Sequence, residues 1–275
     1  MIVSAKKVLQ DAKKNSCAVV APDFLDLDSC RSFCQVADAL KKPILLSYAQ
    51  AHSHVLPLEE AALIGKYFAE KASAPIILHL DHGVDIDFLS RAIKLGFNSI
   101  MIDASMESFE ENIRITRDVV AMAHAHSRDI SVEAEIGHVG GSTEGGPVTD
   151  TVYTTVEEAR KFYDATGVDS LAVSVGTSHG AYKSDAPPVL QFERLAELKT
   201  AIPCPLVLHG GSGTGDDNLR KASRAGISKL NLFTEIFVSA HREAMKTPTD
   251  GYVEMMDAAK KGMKETLAHY IGVVS

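Results

Sequence analysis

Residues 76–83 read Ile76-Ile77-Leu78-His79-Leu80-Asp81-His82-Gly83, an apolar run that ends in an acid, an imidazole and a glycine. Such a run is typical of a parallel strand that is buried on both faces. In α/β folds, the side chains that perform chemistry lie where strands of this kind end. The segment therefore predicts a buried strand that delivers Asp81 and His82 to a functional site.

Two later apolar runs also end in a histidine followed by a glycine. His179 follows the run at 170–175, and His209 follows the run at 205–208. Because the carboxyl ends of parallel strands gather at one end of a barrel, we expect both imidazoles to lie near His82.

The whole chain alternates strand-like runs with segments of helical periodicity, at intervals of roughly 25 to 35 residues. The predicted strands are Cys17–Ala21, Pro43–Tyr48, Pro75–Leu80, Ser99–Asp103, Ile130–Ile136, Ser170–Val175, Pro205–Leu208 and Ile227–Leu232. Helices are predicted between them, and Thr234–Met245 and Tyr252–Ile271 close the chain. This pattern predicts an α/β fold, a (β/α)8 TIM barrel that forms a single domain over residues 1–275 with C-terminal helices. A doubly wound open sheet is the alternative.

The composition argues against some classes of partner. The net charge is −8 at pH 7 and no basic run is present, which argues against nucleic acid or an anionic membrane surface as the main partner. No apolar run approaches the ~20 residues of a membrane span, and the N-terminus lacks the apolar core of a signal peptide. We therefore expect a cytoplasmic protein whose four cysteines are reduced, packed thiols.

Polar side chains follow most of the predicted strands. A barrel would collect at its C-terminal mouth Asp23, Ser47, Asp81, His82, Asp103, Glu133, Glu135, His179, His209 and Asn231. Three neutral imidazoles with an open fourth position are typical of a catalytic Zn²⁺ site, which His82, His179 and His209 could form. Asp103 and one of Glu133 or Glu135 could form a second cation position or orient the histidines.

Asp81 and His82 are adjacent, and adjacent side chains of an extended strand point to opposite faces. Asp81 would then face a substrate while His82 holds a metal. The alternative is that Asp81 orients an imidazole that binds the metal.

The segment after the seventh predicted strand reads His209-Gly-Gly-Ser-Gly-Thr-Gly215. Backbone N–H groups of such turns bind anions, and barrels commonly hold a phosphate beside strands seven and eight. Asn231 and Thr234 follow strand eight, and Lys183 lies shortly after His179. These residues predict a phosphate site next to the metal site.

Several motifs, in order along nearly the whole chain, resemble those of the class II, zinc-dependent ketose-bisphosphate aldolases. This family includes the fructose-1,6-bisphosphate and tagatose-1,6-bisphosphate enzymes. The matching motifs are Leu80–Gly83, Met101–Ser105, Val132–Gly137, Gly140-Gly141, Gly176–Lys183, His209–Gly213 and Lys229–Asn231.

The resemblance implies a role for each residue of the predicted site. His82, His179 and His209 would bind Zn²⁺, with Asp103 and Glu135 at an alternate metal position. Another divalent cation, or an additional monovalent one, is an alternative. Asp81 would be the acid/base at the bond that is cleaved, and Glu144 would transfer a proton from the mobile loop after strand five. Dihydroxyacetone phosphate would lie among Gly180, Lys183, Gly210, Gly211, Ser212, Asn231 and Thr234.

The resemblance further implies a small-molecule substrate, a phosphorylated ketose that is cleaved to dihydroxyacetone phosphate and an aldehyde. It also implies a homodimer or homotetramer.

The chain departs from the family pattern near the aldehyde half of the substrate. It has Ala21-Pro22-Asp23 in place of the usual Ala-Phe-Asn, an altered turn at 48–54, and Phe233 where the fructose-bisphosphate enzymes tend to have aspartate. The residues expected on this side are Asp23, Ser47, Gln50 and His52. We therefore expect an acceptor aldehyde that differs from glyceraldehyde 3-phosphate.

Two other functions are compatible with similar ingredients. A metal-dependent hydrolase would use the cation to activate water, but such barrels often carry a His-x-His pair on strand one, which is absent here. A phosphosugar-binding barrel without catalytic activity is the second alternative, because fold alone does not fix function.

Overall fold

The computed structural model describes residues 1–140, 151–180, 188–246, 248 and 251–275. Within these residues eight strands alternate with helices. The strands are β1 Val19–Pro22, β2 Ile44–Ala49, β3 Ile76–Gly83, β4 Ser99–Ile102, β5 Ser131–Ile136, β6 Ser170–Val173, β7 Leu206–Leu208 and β8 Ile227–Leu232. The helices are α1 Ala5–Asn15, α2 Leu27–Leu40, α3 Leu58–Lys71, α4 Ile86–Leu95, α5 Phe109–His126, α6 Val156–Thr166, α7 Phe192–Ala201, α8 Asp216–Ala225, α9 Thr234–Lys246 and α10 Tyr252–Val274.

All strand pairs are parallel, in the order β1-β8-β7-β6-β5-β4-β3-β2. The two ends of this sheet meet, because Asp23 and Ser47 form a parallel bridge and the Phe24 N–H donates to the Ser47 carbonyl at 2.8 Å. The predicted α/β fold, a (β/α)8 TIM barrel, is therefore confirmed. The alternative of an open sheet is wrong because the strands close on themselves.

Side chains alternate between the inside and the outside of the barrel. On β3, residues 76, 78 and 80 belong to the large apolar core that surrounds the barrel. Ile77 belongs instead to a separate small cluster, and His79 and Asp81 follow it at two-residue spacing. The register of β3 against β2 places Leu45, Ser47 and Ala49 beside the same three residues. The interior thus changes from apolar to polar along the strands.

Helix α1 covers the N-terminal end of the barrel. Its buried residues Ala5, Leu9 and Ala12 pack against the first inward-facing layer, which consists of Val19, Ala21, Leu45 and Ile77. This apolar floor leaves the carboxyl ends of the strands as the polar end of the barrel, so the functional site is expected there.

The two C-terminal helices pack against each other. A Cβ at Gly262 of α10 would lie 2.6 Å from the carbonyl oxygen of Ser239 in α9, so glycine permits the close approach of the helices. The end of α10 reaches β1, where the Ala18 N–H donates to the Val274 carbonyl at 2.9 Å. In the described parts of the chain, no helix is long and apolar enough to cross a membrane, and this includes the 23-residue α10.

Candidate active site

The end of β3 is not extended. His82 has φ +44°, a left-handed conformation that non-glycine residues rarely adopt, and the pairing of β3 with β4 shifts at this point. The expectation that Asp81 and His82 face opposite ways is therefore wrong, since His82 Nε2 lies 3.7 Å from Asp81 Oδ2. Gly83 permits this turn, because a Cβ there would lie 2.6 Å from Leu89 Cδ2 and 2.8 Å from the Met101 carbonyl oxygen.

The three histidines predicted from the strand ends come together at the mouth of the barrel. The ring centroid of His82 is 5.1 Å from that of His179 and 4.6 Å from that of His209. One ring nitrogen of each histidine lies within 4.8 Å of the other two. His82 Nδ1 lies 2.8 Å from Asp103 Oδ2, a contact that orients the ring so that Nε2 can bind a metal.

His209 and Glu135 each present a buried atom to the same place. His209 Nδ1 and Glu135 Oε2 form an ion pair at 3.1 Å, and neither atom has a further partner among the described residues. The other ring nitrogen, Nε2, lies 3.0 Å from Glu133 Oε1. A buried imidazole nitrogen and a carboxylate oxygen this close together are two donors that a bound cation could use. Three imidazoles and a nearby carboxylate are a donor set that fits Zn²⁺.

The electrostatics of the cluster also favour a cation. Burial, reinforced by His82 and His209, lowers the pKa of His179 well below its usual range, so this ring is in the neutral form that a metal requires. Burial alone would lower the pKa of His82, but the carboxylates of Asp81 and Asp103 raise it to about 10. The same negative charges would stabilise a metal ion.

Two side chains of β8, the Asn231 amide and the Lys229 ammonium group, contact Asp81. The Asn231 Nδ2 amide donates to both carboxylate oxygens of Asp81, at 3.0 and 2.9 Å, and Lys229 Nζ lies 3.5 Å away. Burial alone would raise the pKa of Asp81, but His82 and Lys229 lower it well below its usual range. Asp81 is therefore ionised at neutral pH, and its side chain lines the cavity.

A buried lysine lies beneath Asp81. Lys229 is completely buried, and its Nζ is 2.9 Å from both carboxylate oxygens of Glu133 and 2.9 Å from His79 Nε2. His79, Asp81 and Glu133 are close enough together to bind a metal. The Lys229 ammonium group, however, already contacts all three. The sequence analysis missed this network. The available signal was the two-residue spacing of Lys229 and Asn231 on β8, which places both side chains on the same face of the strand.

We predict that Lys229→Met destabilises the protein by about 3–5 kcal/mol, because the Glu133 and Asp81 charges would remain buried without a counter-ion. Urea unfolding measures the change. Lys221→Met, at an exposed lysine of α8, is the matched control. The double variant Lys229→Met/Glu133→Gln should recover part of the loss, and an unchanged unfolding midpoint for Lys229→Met would contradict the prediction.

The segment after β7 brings the backbone close to the cluster. Gly210 has φ +65°, and a Cβ there would lie 2.4 Å from the Ser178 carbonyl oxygen, so only glycine fits. Gly211 and Ser212 follow, and Thr234 begins α9 on the other side of the cavity. Backbone N–H groups in such a turn, together with a helix N-terminus, favour an anion.

These groups share one cavity of about 440 Å³ at the mouth of the barrel. Its lining includes His82, His179, Gly180, Gly210, Gly211, Ser212, Asn231 and Thr234, and also Asp23, Gln50, His52, His54, Val84 and Phe233. Of the residues expected at the C-terminal mouth, Asp23, Asp81, His82, Asp103, His179 and Asn231 line this cavity.

The residues predicted for the aldehyde side occupy different positions. Asp23 and His52 line the cavity, and the His52 ring packs on Phe233 with a centroid distance of 4.7 Å. Gln50 also lines it, but its side-chain oxygen accepts the Val84 N–H at 2.8 Å. Ser47 is completely buried, and its hydroxyl donates to the backbone of its own strand. Glu144 and Lys183 lie outside the described residues.

The family model for class II fructose-bisphosphate aldolases matches residues 3–275. The chain belongs to this family. Among solved structures, it is similar to the YdjI aldolase from Escherichia coli K12, with 29% identity and a TM-score of 0.88 over 100% of this chain and 98% of that one. A candidate fructose-1,6-biphosphate aldolase from Coccidioides immitis gives 28% identity and a TM-score of 0.89, covering 98% and 96%. Fructose-bisphosphate aldolase from Campylobacter jejuni, at 22% identity, gives a TM-score of 0.80 over 99% and 95%, and supports the fold alone.

As a class II aldolase, the protein is a lyase that carries out metal-dependent aldol cleavage of a small phosphorylated sugar. The resemblance drawn from the motifs is confirmed. The family match does not favour the hydrolase or the non-catalytic binding protein.

Proposed function

We propose that this class II aldolase reversibly cleaves a phosphorylated ketose between C3 and C4, giving dihydroxyacetone phosphate and an aldehyde other than glyceraldehyde 3-phosphate. The observation that carries the proposal is the position of the ionised Asp81 beside three converging imidazoles, in the cavity that the glycine-rich turn also lines. A base, a cation site and an anion site within one cavity are the three parts that this reaction needs.

The proposed cofactor is Zn²⁺ held by His82, His179 and His209. Asp103 orients His82, and Asp103 and Glu135 together offer the alternate cation position that the family pattern implies. Co²⁺ or Mn²⁺ is the alternative, and an additional monovalent cation is compatible with the carboxylates. When bound, the divalent cation supplies Lewis-acid stabilisation of the negative charge that develops on the oxygens of the three-carbon fragment.

Asp81 is the proposed acid/base. In cleavage it takes the proton of the C4 hydroxyl while the C3–C4 bond breaks, so that C4 becomes an aldehyde and the electron pair of the bond stays with the three-carbon fragment. In synthesis it returns the proton to the new hydroxyl. Asn231 keeps the carboxylate in place through its two contacts.

The proton that completes dihydroxyacetone phosphate at C3 needs a second donor. We propose Glu144 for this role on the basis of the family pattern. Gly210, Gly211, Ser212 and Thr234 are proposed to bind the phosphate through backbone N–H groups and hydroxyls, together with Gly180, Lys183 and Asn231.

The proposal also includes a cytoplasmic homodimer or homotetramer, as the family pattern implies. A net charge of −8 is compatible with a small-molecule enzyme that binds neither nucleic acid nor anionic membranes.

Removing the metal is expected to abolish cleavage. Protein that has been dialysed against a chelator should lose aldehyde formation from ketose phosphates, and one equivalent of Zn²⁺ should restore it, because the developing charge would otherwise lack a counter-ion. A coupled assay for dihydroxyacetone phosphate, with elemental analysis of the same sample, measures both. Cleavage by protein with no detectable metal would contradict the proposal, and release of inorganic phosphate without an aldehyde would favour a hydrolase.

A further inference from the structure

Asp23 follows β1 at its carboxyl end and lines the cavity at the mouth of the barrel. Its side chain is only 5% exposed and lines the cavity. Its Oδ1 atom has no hydrogen-bond partner among the described residues. A buried carboxyl oxygen without a partner is costly, so a polar group of a ligand is the expected complement.

The charge of the cavity wall restricts which ligand group this is. Among the residues that the structure describes, no lysine or arginine lines the cavity. Of the positively charged groups that act on Asp23, His82 and His209 belong to the proposed metal site and Lys229 pairs with Glu133. Among the described residues, a phosphate here would be left with the imidazoles of His52 and His54. The His52 ring packs on Phe233, and His54 is exposed with its Nδ1 2.9 Å from the Ala51 carbonyl. A second phosphate is therefore poorly matched to this wall.

Beside the polar Gln50 and Ser53, this wall has aromatic and aliphatic side chains. Phe233 packs between His52 and Phe237, with centroid distances of 4.7 and 4.9 Å, and Val84 contributes an apolar side chain. A wall of this kind packs well against the C–H groups of a carbohydrate chain, while a carboxyl binds its hydroxyls.

A hydroxyl complements Asp23 in either protonation state, because a hydroxyl both donates and accepts hydrogen bonds. A phosphate only accepts from the protonated form and is repelled by the ionised one. Burial, followed by the charge of Asp81, raises the pKa of Asp23 well above its usual range. A hydroxyl fits both forms. The mismatch with a phosphate is greatest when Asp23 is ionised, and for the protonated form it rests on the absence of lysine and arginine from the described cavity wall.

We infer that Asp23 binds a hydroxyl of the acceptor aldehyde, and that this aldehyde is an unphosphorylated polyhydroxy aldehyde. The physiological substrate is then a ketose that carries a single phosphate, on C1. This inference rests on the proposed aldolase function and narrows its substrate class.

Aldol synthesis with matched acceptors tests the inference. The holoenzyme is given dihydroxyacetone phosphate and either D- or L-glyceraldehyde or the corresponding 3-phosphate. For at least one enantiomer, kcat/KM for the free aldehyde should exceed that for its phosphate by about tenfold or more, the effect of about one charged contact. Equal or better use of the phosphorylated aldehydes overturns the inference.

Variants of Asp23 give the second readout. Asp23→Leu should lower kcat/KM for glyceraldehyde by about 10- to 100-fold, mainly through KM, because a hydrogen bond to a charged or buried group is lost. Asp23→Asn keeps a hydrogen-bonding oxygen and should retain most of the activity. Asp129→Leu, at an exposed aspartate outside the cavity lining, is the control. Unchanged kinetics of Asp23→Leu overturn the inference.

Proton exchange at C3 of dihydroxyacetone phosphate separates this inference from the proposed function, since exchange uses only the donor half. Asp23→Leu should exchange at the wild-type rate, which also shows that it is folded. Loss of exchange in this variant would overturn an acceptor-specific role for Asp23. Absence of both exchange and synthesis in the wild-type holoenzyme would instead refute the proposed function.

Discussion

Replacing His209 by alanine is expected to remove both the bound metal and the aldol activity. The variant loses one of three imidazole donors, together with the contacts that His209 makes with Glu133 and Glu135. Loss of an outer-shell partner alone costs about 10- to 100-fold in metal affinity, and loss of a ligand should exceed the upper end of that range. Dialysis followed by elemental analysis measures the metal content, and the retro-aldol assay measures activity.

His54→Ala is the matched control for this experiment. His54 lines the same cavity but is exposed and does not belong to the cluster of three imidazoles. The control should keep one equivalent of metal. If His209→Ala also kept a full equivalent with wild-type affinity, the proposed ligand set would be wrong.

Asp81→Asn is expected to separate chemistry from metal binding. The amide has nearly the shape of the carboxylate but cannot take the C4 hydroxyl proton, and general base catalysis typically contributes about 10²- to 10⁴-fold. We expect kcat to fall by this factor while the metal stays bound. The amide group also meets Asn231 Nδ2 and Lys229 Nζ, which prefer an anion, so some loss of stability accompanies the change.

Two measurements on Asp81→Asn decide whether Asp81 is the acid/base or a residue that orients a metal-binding histidine. Elemental analysis should find the wild-type metal content, and the affinity for dihydroxyacetone phosphate should stay within a few-fold of wild type. Wild-type kcat would exclude Asp81 as the acid/base. Loss of the metal together with the activity would point to the alternative role, in which Asp81 orients a ligating histidine.

The barrel was predictable because its strands are buried on both faces and end in polar residues. The runs at 76–83 and 205–208 could be assigned from their apolar character alone, and regular spacing supplied the number of strands. The structure keeps β6 shorter than predicted, ending at Val173 and not Val175. Boundaries of this kind depend on backbone hydrogen bonds, which a pattern of side chains does not record.

The composition of the candidate site was predictable, but its internal geometry was not. The position of each histidine directly after a predicted strand was enough to predict that the three would lie near one another. The left-handed backbone of His82 and the Lys229–Glu133 contact were missed, because each depends on register between strands that are far apart in sequence. Ser47 follows the pattern yet turns its hydroxyl to its own backbone, which a strand-end rule cannot foresee.

Helix α1 separates two tasks along the barrel axis. The apolar cluster that it completes includes Leu9, Leu45 and Ile77, and none of its members lines the cavity. Substitutions in that cluster would therefore change the stability of the folded protein. Substitutions around the opposite opening of the barrel would change which sugars it accepts. A new substrate preference can thus evolve at the opening while the apolar cluster at the other end of the barrel keeps the eight strands together.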